Sequence, residues 1–167
     1  MRRAAVLTIS DSVVAGTRED LSGPAVKTRL EQHGWDVPLL DAIADEQESI
    51  AAHLVALADS GAVHAIFTTG GTGLAFRDVT PEATRGVIDR EIPGMAEAMR
   101  AEGRKMTPLA ALSRAVAGTR GMCLIVNLPG SPKGAIESLD AILDLAPHVV
   151  DLLHGRTSHG PKLETPG

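Results

Sequence analysis

Thr68-Thr69-Gly70-Gly71-Thr72-Gly73, continuing through Leu74-Ala75-Phe76-Arg77-Asp78-Val79-Thr80-Pro81-Glu82, is the stretch whose reading decides the fold. An apolar run at 63–67 precedes it and reads as a buried strand. A helical pattern over 81–90 follows, so the stretch is a strand-loop-helix switch. Three glycines within four residues let the backbone take positive φ and approach a ligand closely. Thr80 as N-cap and Pro81 at the first helical position set the start of the helix. Amides in such a loop, backed by a helix N-terminus, favour an anion such as phosphate. A carboxylate beside a phosphate repels it unless a cation lies between, so Asp78 reads as a Mg²⁺ ligand. A glycine cluster taken alone reads better as a plain turn whose aspartate bonds nearby amides.

Working outward, the chain alternates strands with helices. Strands are expected at 4–9, 37–43, 63–67 and 122–126, and helices at 22–33, after Asp45-Glu46 up to Gly61, 81–90, 95–105, 108–116, 132–146 and 147–154. Residues 118–121 read as a turn. Asn127-Leu128-Pro129-Gly130-Ser131-Pro132-Lys133 repeats the first design, with Ser131 as N-cap and Pro132 at the helix start. The alternation predicts an α/β fold, a three-layer α/β/α sandwich with a mainly parallel sheet. Four strand-to-helix loops then meet at the carboxyl edge, at 10–16, 44–46, 70–80 and 127–133, where open sheets bind ligands. One domain is expected over 1–155, followed by a flexible tail at 156–167 rich in glycine, proline, serine and threonine.

Bulk properties narrow the function. The 167 residues can bury a full core without staples. A net charge of -5, no basic run and only 2% aromatics argue against nucleic acid or anionic membrane as partner. No apolar stretch reaches transmembrane length and no signal h-region is read, so a soluble cytoplasmic protein is expected. The single cysteine, Cys123, sits in an apolar run and reads as core. The six histidines show no HxxxH or HExxH spacing, which disfavours zinc. The glycine loop lacks the Gly-Lys-Ser/Thr ending of a P-loop and the GxGxxG register of a dinucleotide fold.

Two cradles on one edge suggest a ligand with more than one phosphate. Asp11, Asp45 and Asp78 share that edge; singly, Asp11 reads as an Asx-turn and Asp45 as a helix N-terminal acid. Arg77 and Lys133 are cations beside the cradles, and Arg114, after Ser113, could reach a phosphate or a subunit interface.

Together these residues resemble the MogA/MoaB family of molybdenum-cofactor biosynthesis proteins, which includes the G domains of gephyrin and its plant counterpart. The resemblance is carried by Thr69-Gly70-Gly71-Thr72-Gly73 with Arg77-Asp78-Val79-Thr80-Pro81-Glu82-Ala83-Thr84, by Ser10-Asp11-Ser12 with Gly16, Asp20, Ser22 and Gly23, and by Asp45-Glu46. Leu112-Ser113-Arg114 and the 127–133 loop complete it, so that it covers residues 4–154. It implies adenylylation of molybdopterin by Mg-ATP with release of pyrophosphate, Asp45 and Asp78 being the catalytic and Mg²⁺-associated acids. Ser10, Asp11, Ser12 and Gly16 would help hold nucleotide. Thr69, Gly70, Gly71, Thr72, Gly73, Arg77 and Thr80, with Ser113, Arg114, Asn127, Pro129, Gly130, Ser131 and Lys133, would bind substrate or nucleotide, the 70–73 and 129–133 loops holding phosphate and pterin. A homotrimer and hand-over of product to a molybdenum-insertion protein are also implied. The alternative is a MoaB-like protein that binds or scaffolds molybdopterin without adenylyl transfer.

Overall fold

The computed structural model describes residues 1–156, so that from residue 157 the expected tail lies outside the described residues. In chain order the first half comprises β1 (Arg3–Ile9), α1 (Asp11–Val14), α2 (Ser22–Gln32), β2 (Asp36–Ile43), α3 (Gln47–Ser60), β3 (Ala65–Thr69) and α4 (Thr80–Arg85). The second half comprises β4 (Arg90–Glu91), α5 (Pro93–Arg104), a 3₁₀ turn (Pro108–Leu112), β5 (Ala117–Arg120), β6 (Cys123–Leu128), α6 (Pro132–Ile142) and α7 (Leu145–Leu153). The strands form one sheet ordered β2-β1-β3-β6-β5-β4. β2, β1, β3 and β6 are parallel, while β5 and β4 each run antiparallel to the preceding neighbour.

The two-residue repeat of the strands makes the layers. Ala4 and Val6 of β1 pack with Val26, Leu30 and Leu139 on one face, while Ala5, Leu7 and Ile9 pack with Ile50 and Leu54 on the other. In β1, β3 and β6 both faces are buried, which is why these strands read as largely apolar runs, while the edge strand β2 carries Asp36 and Asp41. Trp35 and Phe67 meet edge to face in the first core, their ring centroids 6.0 Å apart. The expected three-layer α/β sandwich is thus the observed fold.

Several boundaries differ from the sequence reading. β3 runs on through Thr68 and Thr69, because register with β1 and β6 continues to Thr8 and Leu128. The helix expected at 81–90 stops at Arg85; Asp89 and Ile92 donate instead to Thr119 O and Ala117 O, building the β4 edge. Thr80 is not the N-cap: Val79 holds that position, and the Thr80 hydroxyl donates to Gly70 O at 3.0 Å. The helix expected at 108–116 is a 3₁₀ turn that gives way to extended chain at Ser113. The turn expected at 118–121 is mostly strand: a Cβ on Gly118 would lie 2.5 Å from Arg90 O, so this glycine serves a close strand approach. The break expected at Pro147 falls at 143–144, with Pro147 in the first turn of α7.

Asn127 ties these parts together. It is fully buried and its Nδ2 donates to Thr68 Oγ1 at 3.1 Å and Thr84 Oγ1 at 2.9 Å. Its Oδ1 accepts Val116 N–H at 3.1 Å, and its own N–H donates to Val116 O. Expected as a binding residue, Asn127 instead joins β3, α4, β6 and the segment before β5. Asn127→Ala removes a hydrogen-bond partner from Thr68 Oγ1, Thr84 Oγ1 and Val116 N–H, of which Thr84 keeps its bond to Thr80 O, and is predicted to lower unfolding stability by about 2–4 kcal/mol. A urea midpoint shifted down at unchanged m-value is the expected reading, and an unchanged midpoint would contradict this role.

Candidate active site

The order of strands reverses between β1 and β3, since the chain goes from β1 to β2 on one side and then crosses to β3 on the other. The exits of those strands therefore part and leave a crevice at the carboxyl edge. A cleft of about 410 Å³ lies there, lined by Ser10 and Ser12 after β1, Asp45 after β2, Gly70, Gly71 and Asp78 after β3, and Gly130 and Ser131 after β6. All four loops expected to converge do so.

Asp11 and Asp45 exchange hydrogen bonds that lock two of these loops. Asp11 N–H donates to Asp45 Oδ2 at 2.8 Å, and Asp45 N–H donates to Asp11 Oδ1 at 2.9 Å. Arg77 reaches across from the glycine loop and holds the Asp11 carboxylate through Nε at 2.9 Å and Nη2 at 3.0 Å. The two acids then diverge. The Arg77 guanidinium holds Asp11 below its ordinary pKa, helped by the Asp45 amide. Burial raises Asp45 above its ordinary value; the Asp11 amide opposes this, and the charges of Asp11 and Asp78 add to it.

The glycine loop is packed to contact. A Cβ on Gly70 would stand 2.4 Å from Ile9 O, and one on Gly71 would stand 2.3 Å from Thr80 Oγ1. Gly70 N–H donates to Leu128 O, so this amide belongs to the sheet rather than to a ligand. At the second loop, Ser131 is the expected N-cap: its Oγ accepts Gly134 N–H at 3.1 Å, and Pro132 opens α6.

Beyond the glycine loop lies a second cavity of about 290 Å³, with more apolar walls. Thr72, Gly73, Ser113, Pro129 and Ser131 line it, together with Met99 and Leu112. Ser131 borders both cavities, and the glycine loop separates them, Gly70 and Gly71 on one side and Thr72 and Gly73 on the other.

Other expected site residues stand elsewhere. Thr69 lines the first cleft but is buried and bonded to Ser22 at 2.9 Å, and Thr80 is buried behind the loop. Arg77 faces an adjoining open depression with Phe76 and Glu46. Gly16 is an exposed turn residue, and Lys133 extends outward within 3.9 Å of Glu137. Arg114 lines neither of the two cavities: its guanidinium donates to Gly73 O, Asp78 O and Glu82. Arg18, Glu19, Asp20 and Leu21 line the first cleft and were missed as site residues. Asp20 accepts Thr8 Oγ1–H at 2.8 Å and Gly23 N–H at 2.9 Å, a pattern that Asp-x-Ser-Gly before a helix could have signalled.

Residues 5–148 match the family model described as "Probable molybdopterin binding domain". The chain belongs to this family. It is 42% identical over 153 residues to the molybdopterin adenylyltransferase of Helicobacter pylori J99, covering 90% of this chain and 86% of that protein. It is 41% identical to the molybdopterin adenylyltransferase of Escherichia coli K12, covering 92% of this chain and 78% of that one. Among solved structures, the molybdopterin biosynthesis enzyme MoaB of Thermus thermophilus superposes with a TM-score of 0.88 at 49% identity, over 93% of this chain and 98% of that one. The fold and the family expected from the glycine loop therefore stand.

Because burial disfavours ionised Asp45, the folded state resists its charge above the raised pKa and is relieved of that cost below the ordinary carboxylate range. Asp45→Asn keeps an oxygen for the Asp11 N–H and removes the charge beside Asp11 and Asp78. The melting temperature is predicted to rise at pH 7, and the gain to vanish as pH falls below about 4. Thermal unfolding of both proteins across pH checks this; a lower melting temperature at pH 7 would contradict it.

Proposed function

We propose that the protein adenylylates molybdopterin, a terminal phosphate oxygen of molybdopterin attacking the α-phosphorus of ATP with pyrophosphate leaving. The observation that carries this reading is the glycine loop as a shared wall. Two cavities back onto it and meet at Ser131, as a reaction between two phosphorylated substrates requires. The polar cleft with Ser10, Ser12, Asp45 and Asp78 suits the nucleotide phosphates, and the more apolar cavity with Met99 and Leu112 suits the pterin. Relatives at 42% and 41% identity carry the name molybdopterin adenylyltransferase, which supports the reaction class.

The chemistry asks little proton transfer of the protein. The P–O bond that forms uses an oxygen already anionic near neutral pH, and the bond that breaks releases pyrophosphate as an anion. Positioning and charge neutralisation are what remain. Ser131 and the N-terminus of α6 can orient the attacking phosphate, and Arg18 stands on the nucleotide side of the cleft as a cation. Asp45 and Asp78 offer hard oxygens on one cleft, and among the described residues no cluster of three or more metal-ligating side chains occurs. That donor set suits Mg²⁺, which is held by one or two carboxylates and completes its shell with substrate oxygens and water. Mg²⁺ would supply charge neutralisation on the phosphates when bound. A cytoplasmic homotrimer that passes its product to a molybdenum-insertion protein belongs to the same reading, and light scattering on the eluting protein tests the assembly.

The deciding experiment incubates the protein with Mg-ATP and molybdopterin and follows pyrophosphate and adenylylated pterin. Wild type is expected to form both, and Asp78→Ala to lose at least about 100-fold in turnover while retaining its fold. Molybdopterin binding without either product would favour the MoaB-like binding reading.

A further inference from the structure

We propose that Arg114 is a positioning residue for the reaction: it holds Asp78 at the wall between the two cavities without touching either substrate. The inference rests on the role given to Asp78 above. Ser113, in extended conformation, delivers Arg114 to the back of the glycine loop, where the Arg114 N–H donates to Thr72 O at 2.9 Å. Its Nε donates to Gly73 O at 2.8 Å, its Nη2 to Asp78 O at 2.7 Å, and its Nη1 to Glu82 on α4. One planar group therefore pins both ends of the 73–78 segment and fastens that segment to the helix behind it.

Apart from Arg77, whose guanidinium binds Asp11, the segment has little else to hold it. Leu74 is 70% exposed and Phe76 96% exposed, so the apolar side chains of the loop turn outward instead of packing. Inside the loop, Asp78 Oδ2 accepts Ala75 N–H at 3.0 Å, and Asp78 N–H donates to Ala75 O at 2.9 Å. Both bonds require the closed turn. Gly73 allows that closure, since a Cβ there would lie 2.8 Å from Asp78 Oδ2. The carboxylate thus stands where the loop puts it, and the guanidinium sets the loop. Three bonds diverging in one plane match a guanidinium fork; an ammonium offers a point charge that cannot reach all three at once.

Because Arg114 lines neither cavity, its loss should act on kcat through a displaced Asp78, not on KM. Arg114→Lys and Arg114→Ala are compared with wild type for turnover and for amide hydrogen exchange in peptides covering 73–79. The expected result is a fall in kcat of about 10- to 100-fold. KM for both substrates should stay within about threefold, exchange in 73–79 should be faster, and added guanidinium should recover part of the Arg114→Ala loss. In Asp78→Ala, guanidinium should recover nothing, and adding Arg114→Ala should cost no further activity. If Arg114→Ala fails to fold, Glu82→Gln, which weakens only one anchor, should show the same pattern to a smaller degree. A rise in KM at retained kcat would make Arg114 a substrate-binding residue and overturn the proposal, as would unchanged exchange in 73–79. A wild type without turnover would remove the adenylyl-transfer reading, while the exchange comparison would still decide whether Arg114 holds the loop.

Discussion

The close approach of three strand exits is the constraint on which the site depends. Gly70 lies so near β1 that a Cβ would enter the Ile9 carbonyl at 2.4 Å, and a Cβ on Gly130 would come within 3.3 Å of the Gly70 Cα. Gly70 N–H and O are both engaged, by Leu128 O and by the Thr80 hydroxyl. A side chain at this junction would push β1, β3 and β6 apart at the edge where their loops must converge. The glycines therefore serve backbone packing first. Their place on the cleft wall follows from the geometry that packing creates.

Charge at the site is local, not global. The protein is acidic overall at -5, yet the arginines nearest the glycine loop serve mostly to shape it. Arg77 neutralises Asp11 and so joins the glycine loop to the loop after β1; Arg114 is occupied by two carbonyls and Glu82. Asp11 and Asp45, bonded to each other through their amides, end with opposite pKa shifts because the Arg77 hydrogen bond dominates at Asp11 and desolvation dominates at Asp45. The result is one acid committed to structure beside another held in tension with its own charge. A divalent cation shared with substrate phosphates would relieve that tension.

Polar atoms behind the site are as fully accounted for as the apolar core. Asn127, Thr68, Thr84 and Val116 form a closed set of bonds below the cleft, and Ser22 pairs with Thr69 beside it. Such networks give the loops a defined base and are costly to break because each buried partner would be left unsatisfied. They also place two residues of the motif away from the cleft surface: Asn127 and Thr80 act one layer beneath it, on the loops that line the cleft.

The alternation of apolar runs with helical patterns was enough to place the parallel strands, the three layers and the convergence of four loops, because those features follow from periodicity and from the handedness of crossovers. The motif order around Gly70 to Gly73 was enough for the family. Short elements escaped: β4 and β5 are two and four residues long and owe their existence to pairing across a glycine, and the 3₁₀ turn at Pro108–Leu112 was read as a helix. Which charges would be free was also beyond the sequence, since Arg77, Arg114 and Lys133 carry the same chemistry there. Their partners lie 66, 32 and 4 residues away, and the first two distances exist only once the strands have assembled. Local pattern, then, determined the elements and the edge where the loops converge. Tertiary packing alone decided which of its residues line the cavities and which hold the others in place, because burial and pairing are properties of the assembled sheet, not of the chain.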